Sequence, residues 1–212
     1  IRSGTSSHGS IYFSDATSGG GEYDGYIEYE QANRRLNLGT AGNTRLRIDS
    51  SGRVLIGGSS ARANFNNGSA SPQIQIENVL NGNKSSVALI HNENNTGDSS
   101  SLHFAKTRGG TVGDDSALNQ AGDRLGQIVF SGNDGTEFVQ AATIEGFTGG
   151  SPGNNDMPGR LSFSVTNDGA SSPVERMRIS RNGEQQHFGT LATSINIANT
   201  ASAGNQYEFL YC

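Results

Sequence analysis

The side chains with the clearest potential for chemistry are three carboxylates that lie among tyrosines near the start of the chain. The carboxylates are Asp24, Glu28 and Glu30, and the tyrosines are Tyr23, Tyr26 and Tyr29. Glycoside hydrolysis uses a pair of Asp or Glu side chains, one as the acid and the other as base or nucleophile. However, Glu28 and Glu30 alternate with Ile27 and Tyr29, which predicts the solvent-facing side of a half-buried strand. We therefore expect no enzymatic activity, with glycan cleavage by these acids as the alternative.

Two further polar clusters carry the side-chain oxygens that Ca²⁺ prefers. They are Asp114-Asp115 and Asn154-Asn155-Asp156. Ca²⁺ needs about six to eight oxygen ligands, and neither cluster has the spacing of an EF-hand loop or a nonapeptide repeat. Turns in which an Asp or Asn side chain accepts a hydrogen bond from the nearby backbone are the simpler interpretation. We therefore predict no metal site in these clusters.

The histidines, the cysteine and the glycines indicate no cofactor. His8, His91, His103 and His187 share no metal-ligand spacing. The single Cys212 can form neither a disulfide within the chain nor a thiolate metal site. No Gly-x-Gly-x-x-Gly run joins a strand to a helix, so nucleotide binding has no support.

Arginines alternate with apolar residues in two similar octets. The octets are 45–52, with the sequence RLRIDSSG, and 176–183, with the sequence RMRISRNG. Apolar side chains two residues apart point to one face of a strand, and the arginines point to the other. The terminal Gly of each octet suits a tight turn, because Gly adopts positive φ without a steric penalty. Each octet therefore predicts a strand followed by a turn.

The arginines of the second octet have two possible roles. Arg176, Arg178 and Arg181 could together bind an acidic glycan. The simpler interpretation is that they pair with carboxylates such as Asp168 and Glu175, or with the same residues of a neighbouring copy. We favour this pairing, because charges on the polar face of a strand keep it soluble and discourage edge-to-edge aggregation.

The rest of the chain predicts short strands separated by turns, without an apolar helical stripe. Strand-like runs occur at 10–13, 26–29, 35–38, 45–48, 54–56, 74–76, 87–90, 102–104, 127–130, 138–147, 161–165 and 174–179. Such runs, with turns every 8–12 residues or so, are typical of antiparallel all-β architecture. The polar connector 57–68 indicates a boundary. We predict a β-meander block at 1–60, a second β-rich block at 61–189, and a distal segment at 190–212 that precedes a further domain.

The composition predicts a thin hydrophobic core. Only 32% of the residues are apolar, and the 30 glycines add almost no side chain to bury. Disorder is not expected, because nine Phe and six Tyr are spread over the strand-like runs. A β-rich chain that completes its core against copies of itself fits better. The net charge of −5 argues against nucleic-acid binding, and no apolar run approaches the roughly 20 residues of a membrane helix.

The octets and their surroundings resemble repeats of phage tail fibres and tailspikes. The family pattern reads ERMRI, a turn, Gly, and then Val-Gly-Ile-Gly, and it is similar to 175–183 and 45–57 of this chain. Residues 124–136 and 155–173 are similar to the same proteins, especially to those of cyanophages. The second octet departs from the pattern, because the run 184–189 replaces Val-Gly-Ile-Gly.

The resemblance implies an elongated, homotrimeric, all-β fibre of short antiparallel strands and meanders on the virion tail, outside the cell. Intertwined segments like a triple β-helix are one form that such a fibre takes. Such proteins contact other tail or baseplate proteins and bind a receptor on the bacterial surface, commonly a polysaccharide. They often end in a self-cleaving intramolecular chaperone domain. The expected partners are therefore two further copies, tail proteins and a host glycan or protein receptor, with no nucleic acid and no membrane insertion.

Receptor binding is expected in long loops, since binding residues concentrate there. These loops are 109–122 and 149–158, together with the distal segment 190–212. The candidate residues are Asp114, Asp115, Asn154, Asn155, Asp156, Tyr207 and Tyr211. Two other functions stay open: a tailspike that cleaves host glycan with the carboxylates described above, and a bacterial surface adhesin or filament.

Overall fold

The computed structural model describes residues 1–66, 68, 70–78, 85–94 and 96–189, and within them the protein is all-β. The first sheet contains β1 (His8–Phe13), β2 (Gly25–Glu30), β3 (Arg35–Thr40), β4 (Asn43–Ile48), β5 (Val54–Ile56) and β6 (Ile74–Ile76). The second sheet contains β7 (Arg124–Asn133), β8 (Phe138–Thr148), β9 (Gly159–Val165), β10 (Val174–Ile179) and β11 (Gln185–His187). Strands follow one another in chain order in both sheets, and they pair antiparallel except for β5 with β6. The all-β prediction is confirmed.

One 3₁₀ turn, at Gly20–Tyr23, precedes β2. No helix in the described ranges is long and apolar enough to cross a membrane.

The two octets have the same local structure. A turn closes each octet. In the first, the Gly52 amide donates a hydrogen bond to the Asp49 carbonyl at 2.9 Å, and in the second, the Gly183 amide donates one to the Ser180 carbonyl at 3.0 Å. Both glycines are left-handed, with φ of 80° and 83°, a conformation in which a side chain would be strained. The prediction of a strand followed by a tight turn is confirmed for each octet.

The first sheet has a continuous apolar face. Its register aligns one row of Ile11, Ile27, Leu38, Leu46, Ile56 and Ile76, and a second row of Tyr29, Leu36, Ile48, Val54 and Ile74. Many of these side chains are half-exposed: 48% for Ile11, 36% for Leu38 and 66% for Ile74. Within the described chain, therefore, this apolar face is not covered by a second layer.

The second sheet repeats this arrangement. Its apolar face carries one row of Ile128, Ile144, Phe163 and Met177 and another of Phe130, Ala142, Val165 and Val174. The outer members Ile128, Phe130 and Val174 are about half-exposed. Small hydroxyl residues on the opposite face, Ser162 and Ser164, are buried instead. Both sheets thus bury their polar face and expose their apolar face.

The polar face of the first sheet is a hydrogen-bonded ladder across neighbouring strands. The Asn37 Nδ2 donates to Glu28 Oε1 at 3.2 Å, and the Arg47 Nε donates to Asn37 Oδ1 at 2.8 Å. Arg47 also donates to the Ser59 carbonyl. Leu55 continues the row on β5 and, at 2% exposed, is the one fully buried apolar residue of the described ranges.

The expectation that Glu28 and Glu30 face solvent is wrong. They do point away from Ile27 and Tyr29, as the alternation predicts, but Glu30 is only 8% exposed. The long polar side chains of neighbouring strands cover this face, whereas nothing in the described chain covers the apolar one. The periodicity of a strand fixes which residues share a face, but not which face is buried.

The connector between β5 and β6 packs on the second sheet through an aromatic pair. The Phe65 and Phe138 rings stack with centroids 4.6 Å apart and an interplanar angle of 12°. The Phe138 amide donates to the Asn64 carbonyl at 2.8 Å, and the Gln140 Nε2 donates to Asn66 Oδ1 at 2.8 Å. Since β8 rises about 3.4 Å per residue, its far end lies roughly 30 Å from this contact.

Strand β6 belongs to the first sheet although it follows the predicted boundary at 60/61. The division into blocks at 1–60 and 61–189 stays a prediction, and 190–212 lies outside the described residues.

The strands predicted at 87–90 and 102–104 do not form within this chain. Their apolar side chains are largely exposed, with Val87 at 72%, Ile90 at 78% and Leu102 at 68%. The remaining predicted runs are strands, and β11 was not predicted. A strand needs a hydrogen-bonding neighbour, and no strand of the described chain pairs with these two runs, so local alternation is not sufficient.

A substitution of Leu55 tests whether this buried residue forms the core of the first sheet. We expect Leu55→Ala to lower the free energy of unfolding by about 2–5 kcal/mol, as for other buried Leu→Ala changes. Val112→Ala is the control, because Val112 lies fully exposed in a loop and its change should stay within roughly 0.5 kcal/mol. Denaturant unfolding followed by circular dichroism measures both variants, and equal effects would contradict the assignment.

Candidate binding site

Both long loops meet at one end of the second sheet. They are 109–122 and 149–158. The hydroxyl of the buried Thr148, the last residue of β8, donates to the Gln120 carbonyl of the first loop. The next amide, of Gly149, donates to the Pro158 carbonyl at 2.6 Å and closes the second loop. We call this end, with the adjoining turn 180–184, the loop end; β8 separates it from the Phe65–Phe138 contact.

A buried carboxylate anchors the base of the first loop. The Arg108 Nε and Nη2 donate to the two oxygens of Asp123 at 2.7 and 2.8 Å. The Lys106 Nζ lies 3.1 Å from the same carboxylate, and the Gln120 amide donates to it at 2.9 Å. The hydrogen bond from Arg108, with those from Gln120 and Lys106, holds the pKa of Asp123 far below its usual range. This clamp fixes where the loop leaves the sheet.

Within the first loop, Asp114 has a structural role. Its carboxylate accepts hydrogen bonds from the Ser116 amide at 3.0 Å, the Ser116 hydroxyl at 2.6 Å and the Gly110 amide at 3.1 Å. These bonds, the Ser116 hydroxyl's first, lower the pKa of Asp114. The side-chain-to-backbone turn expected here is confirmed. Asp115 points to solvent.

In the second loop, the backbone of Gly153 and Asp156 exchanges two hydrogen bonds, of 2.9 and 3.2 Å. Asn154 and Asn155 therefore form a two-residue turn, with Asn155 at a φ of 53°, and their side chains are exposed. A turn forms here as expected, but backbone hydrogen bonds hold it, and not the side-chain bonds that were predicted.

No group of three or more His, Cys, Asp or Glu side chains in the described ranges is placed to hold a metal ion. Tyr207 and Tyr211 lie outside the described residues. A receptor-binding role for the candidate residues of both loops stays a prediction.

Arginines converge beside these loops. A cavity of about 170 Å³ is lined by Gly149, Arg160, Arg178, Arg181 and Gln186, among others. We call it the arginine notch. Arg178 and Gln186 are direct neighbours across β10 and β11, and Arg160 comes from the start of β9. Three strands, one turn and the start of the second loop therefore supply its walls.

Each arginine of the notch is held in place by a different contact. The Arg160 guanidinium carbon lies 4.6 Å from the centre of the Phe147 ring. The Arg178 guanidinium carbon lies 5.1 Å from the centre of the Phe188 ring. The Arg181 Nη1 donates to the Gly149 carbonyl at 3.1 Å. Cation–π contacts of this kind orient a guanidinium without neutralising its charge.

Arg178 is also paired with a carboxylate. Its Nε donates to Glu175 Oε1 at 2.8 Å and its Nη2 to Oε2, while the Ser162 hydroxyl donates to Oε1 at 2.7 Å. Although burial alone raises the pKa of Glu175, the bonds from Arg178 and Ser162 outweigh it and lower that pKa. The predicted pairing of Arg178 with Glu175 is confirmed. Asp168 makes no ion pair among the described residues.

One arginine of the sequence-predicted trio does not reach the notch. Arg176 sits where the register of β10 shifts, next to Glu175, and donates to Asn167 Oδ1 at the other end of the strand. Arg160 takes its place. Sequence reasoning missed Arg160 because it lies on a different strand, and only the register between β9 and β10 brings it near Arg178.

Two carboxylates of the acidic cluster near the start of the chain accept hydrogen bonds from neighbouring side chains. Glu28 accepts from His8, whose Nδ1 lies 2.9 Å from Oε2, and this hydrogen bond raises the pKa of His8. Glu30 accepts from Asn33 and Arg35. Burial alone raises the pKa of Glu30, but these two bonds outweigh it and lower that pKa. A glycosidase acid needs a raised pKa instead.

A serine with the spacing of a hydrolase nucleophile lies in the second loop. Residues 149–153 read Gly-Gly-Ser-Pro-Gly, which matches the Gly-x-Ser-x-Gly pattern. In α/β-hydrolases that pattern forms a turn from a strand to a helix. Here the described chain runs from β8 to β9 through a loop, so Ser151 lacks that context.

Solved structures show the class of this fold: it is similar to the fold of a phage tail-fibre domain. One such structure is the carboxy-terminal domain of the bacteriophage T5 L-shaped tail fibre, with a TM-score of 0.66 at 14% identity over 95% of this chain and 88% of that chain. The same domain with its intramolecular chaperone domain gives 0.63 at 15% identity, over 96% of this chain and 64% of that one. No protein-family model matches the sequence, and no curated protein does either.

At this level of identity the likeness establishes the fold. The β-rich architecture that the octets implied by resemblance is therefore confirmed. The particular repeat type and the likeness to cyanophage proteins stay predictions.

The Asp123 clamp predicts a pH-dependent stability. Because the pKa of Asp123 is lower in the folded chain than in the unfolded one, its contribution is complete above the unfolded value of about 3.9 and is lost as the pH falls towards the folded value. We expect Asp123→Asn to lower the melting temperature at pH 7, and the difference from the native chain to shrink below about pH 4.

Asp115→Asn is the matched control, since it removes the same charge from an exposed position of the loop. Thermal melting followed by circular dichroism across pH 3–7 measures all three proteins. A difference that stays constant over this range would contradict the prediction.

Proposed function

We propose that this chain is a structural and adhesive domain of a phage tail fibre. In this proposal it assembles as a homotrimer on the virion tail, contacts other tail or baseplate proteins, and attaches to a polysaccharide on the host-cell surface. The observation that carries the proposal is the pair of uncovered apolar sheet faces on a chain with a tail-fibre fold.

Other copies of the chain are the natural cover for these faces. Fully burying a Leu or Ile side chain is worth roughly 1.5–3 kcal/mol, and each sheet offers aligned rows of half-exposed side chains. A sheet face this uniform packs well against an identical face. Three copies that turn their apolar faces to a shared axis would form the core that one chain lacks, and the polar ladders would face outward.

The extended stretch between the sheets supports intertwining of the copies. The runs 87–90 and 102–104 pair with no strand of the described chain. Leu102 and Phe104 share one face of such an extended run and remain exposed. Pairing with a neighbouring copy would give these residues both the backbone hydrogen bonds and the apolar cover that a strand needs.

The loop end is where we place attachment. Two loops without strands lie together there, held by Thr148 and by the Asp123 clamp. A rigid base with exposed polar tips is the usual arrangement of a binding surface. The proposal includes no catalytic step, and the hydrogen-bonded Glu28 and Glu30 contribute to the ladder of the first sheet.

The assembly is tested by one substitution on the apolar face. Light scattering should give three times the chain mass for the native protein. Leu38→Glu should shift it towards the monomer, because a charge placed in an apolar interface has no partner. Val112→Glu adds the same charge at an exposed loop position and should leave the trimer intact. A native protein that is a compact monomer would rule out the trimer.

The adhesive role is tested on cells. The fluorescently labelled trimer should bind intact host bacteria and compete with phage adsorption, and replacing 111–116 by a Gly-Ser linker should weaken the binding. Antibodies against the chain should decorate virion tails in electron micrographs. Decoration of bacterial filaments would favour the adhesin instead, and new reducing ends in host polysaccharide would favour the tailspike.

A further inference from the structure

We infer that the arginine notch is a carboxylate-binding subsite, which takes the uronate group of an acidic polysaccharide. The inference rests on the proposed function, since it names the chemical class of the glycan that the loop end would bind. It starts from Arg160, whose contacts differ from those of the other arginines.

Arg160 has a charge without a counter-ion in contact. Its Nε is buried and has no hydrogen-bond partner, and within the described residues its guanidinium forms no ion pair. Its one specific contact is the Phe147 ring. A buried polar group without a partner is rare in a folded protein and requires an explanation. A bound anion beside the guanidinium would provide one.

The other two arginines of the notch are anchored but retain donors. Arg178 uses its Nε and Nη2 on Glu175, and Arg181 uses its Nη1 on the Gly149 carbonyl. A guanidinium has five N–H donors, so both keep free ones. Because ring or carbonyl contacts already fix these side chains, little side-chain entropy is lost when an anion binds.

The balance of charge indicates a ligand with one negative charge per site. Arg160, Arg178 and Arg181 face two carboxylates: Glu175, which is paired with Arg178, and Glu184, which accepts a long hydrogen bond from the Ser180 hydroxyl at 3.4 Å. Arg160 also lies near enough for its charge to act on Glu175. One positive charge is therefore left in excess. A planar carboxylate matches the fork of a guanidinium.

The size and position of the notch favour a sugar acid. At about 170 Å³ the cavity is smaller than the roughly 300–1,000 Å³ of sites for drug-sized ligands, so it suits one charged group with part of a ring. Its wall includes Gly149, the first residue of the second loop. A polymer held there could continue across the exposed loops, which a compact ligand would not use.

The test uses polygalacturonate as the probe, neutral dextran as the uncharged control and dextran sulfate as the sulfate control. Isothermal titration near 0.15 M salt should show binding of the native trimer to polygalacturonate and none to dextran. Arg160→Gln and Arg181→Gln should each weaken this binding about tenfold or more, the effect of losing a charged hydrogen bond. Arg176→Gln, which removes the same charge from β10 outside the notch, should stay within about twofold.

Several outcomes would overturn the inference. The first is that the native trimer does not bind polygalacturonate. The second is that Arg176→Gln loses as much affinity as Arg160→Gln. The third is that dextran sulfate binds as tightly as polygalacturonate and depends on the same arginines. Circular dichroism and light scattering check that the variants fold and assemble. If Arg160→Gln does not fold, Arg160→Lys, which keeps the charge, is the second variant. If Arg160→Gln disrupts the trimer and leaves polygalacturonate binding unchanged, the anion is a carboxylate of a neighbouring copy, and the inference is wrong.

The cell-binding experiment separates this inference from the proposed function. A trimer that binds host cells but not polygalacturonate would refute the subsite and leave the adhesive role standing. A protein that neither assembles nor binds cells would refute the proposed function itself.

Discussion

The structure depends on one constraint: each sheet sorts its side chains into an apolar and a polar face, and the described part of the chain leaves the apolar one uncovered. Rows such as Ile27, Leu38 and Leu46 run across the first sheet in register, yet they remain partly exposed. Large exposed apolar patches of this kind mark interaction surfaces. The thin core of the described chain, with Leu55 as its fully buried apolar residue, is consistent with this sorting.

The polar faces are ordered in their own right. Glu28, Asn37 and Arg47 form a continuous chain of hydrogen bonds across three strands. In the second sheet, Glu175 accepts hydrogen bonds from Ser162 and Arg178. Burial of such groups is tolerated because each has a partner, and a satisfied polar network favours one register over its alternatives. The ladders therefore fix the strand alignment that also produces the apolar rows.

The loop end also orders its polar side chains through specific contacts, but these contacts leave charge available. Its arginines are oriented by rings and carbonyls, which hold a guanidinium without removing its charge, and Arg160 is left with no carboxylate in contact. The Asp123 clamp shows the opposite arrangement, because Arg108 there donates to both oxygens of one carboxylate. The buried Arg160 Nε without a partner is the reason to look for an anion at the notch.

The sequence by itself determined the all-β class, most strand positions and the sorting of residues between faces, because alternation with period two is a local property of a strand. It also identified the long loops and Arg178. Only the tertiary structure decided that Glu28 and Glu30 are buried, that the runs at 87–90 and 102–104 stay unpaired, and that Arg160 replaces Arg176 in the notch. These features depend on which strands are neighbours and on what covers each face, and both are set by contacts between residues far apart in the chain.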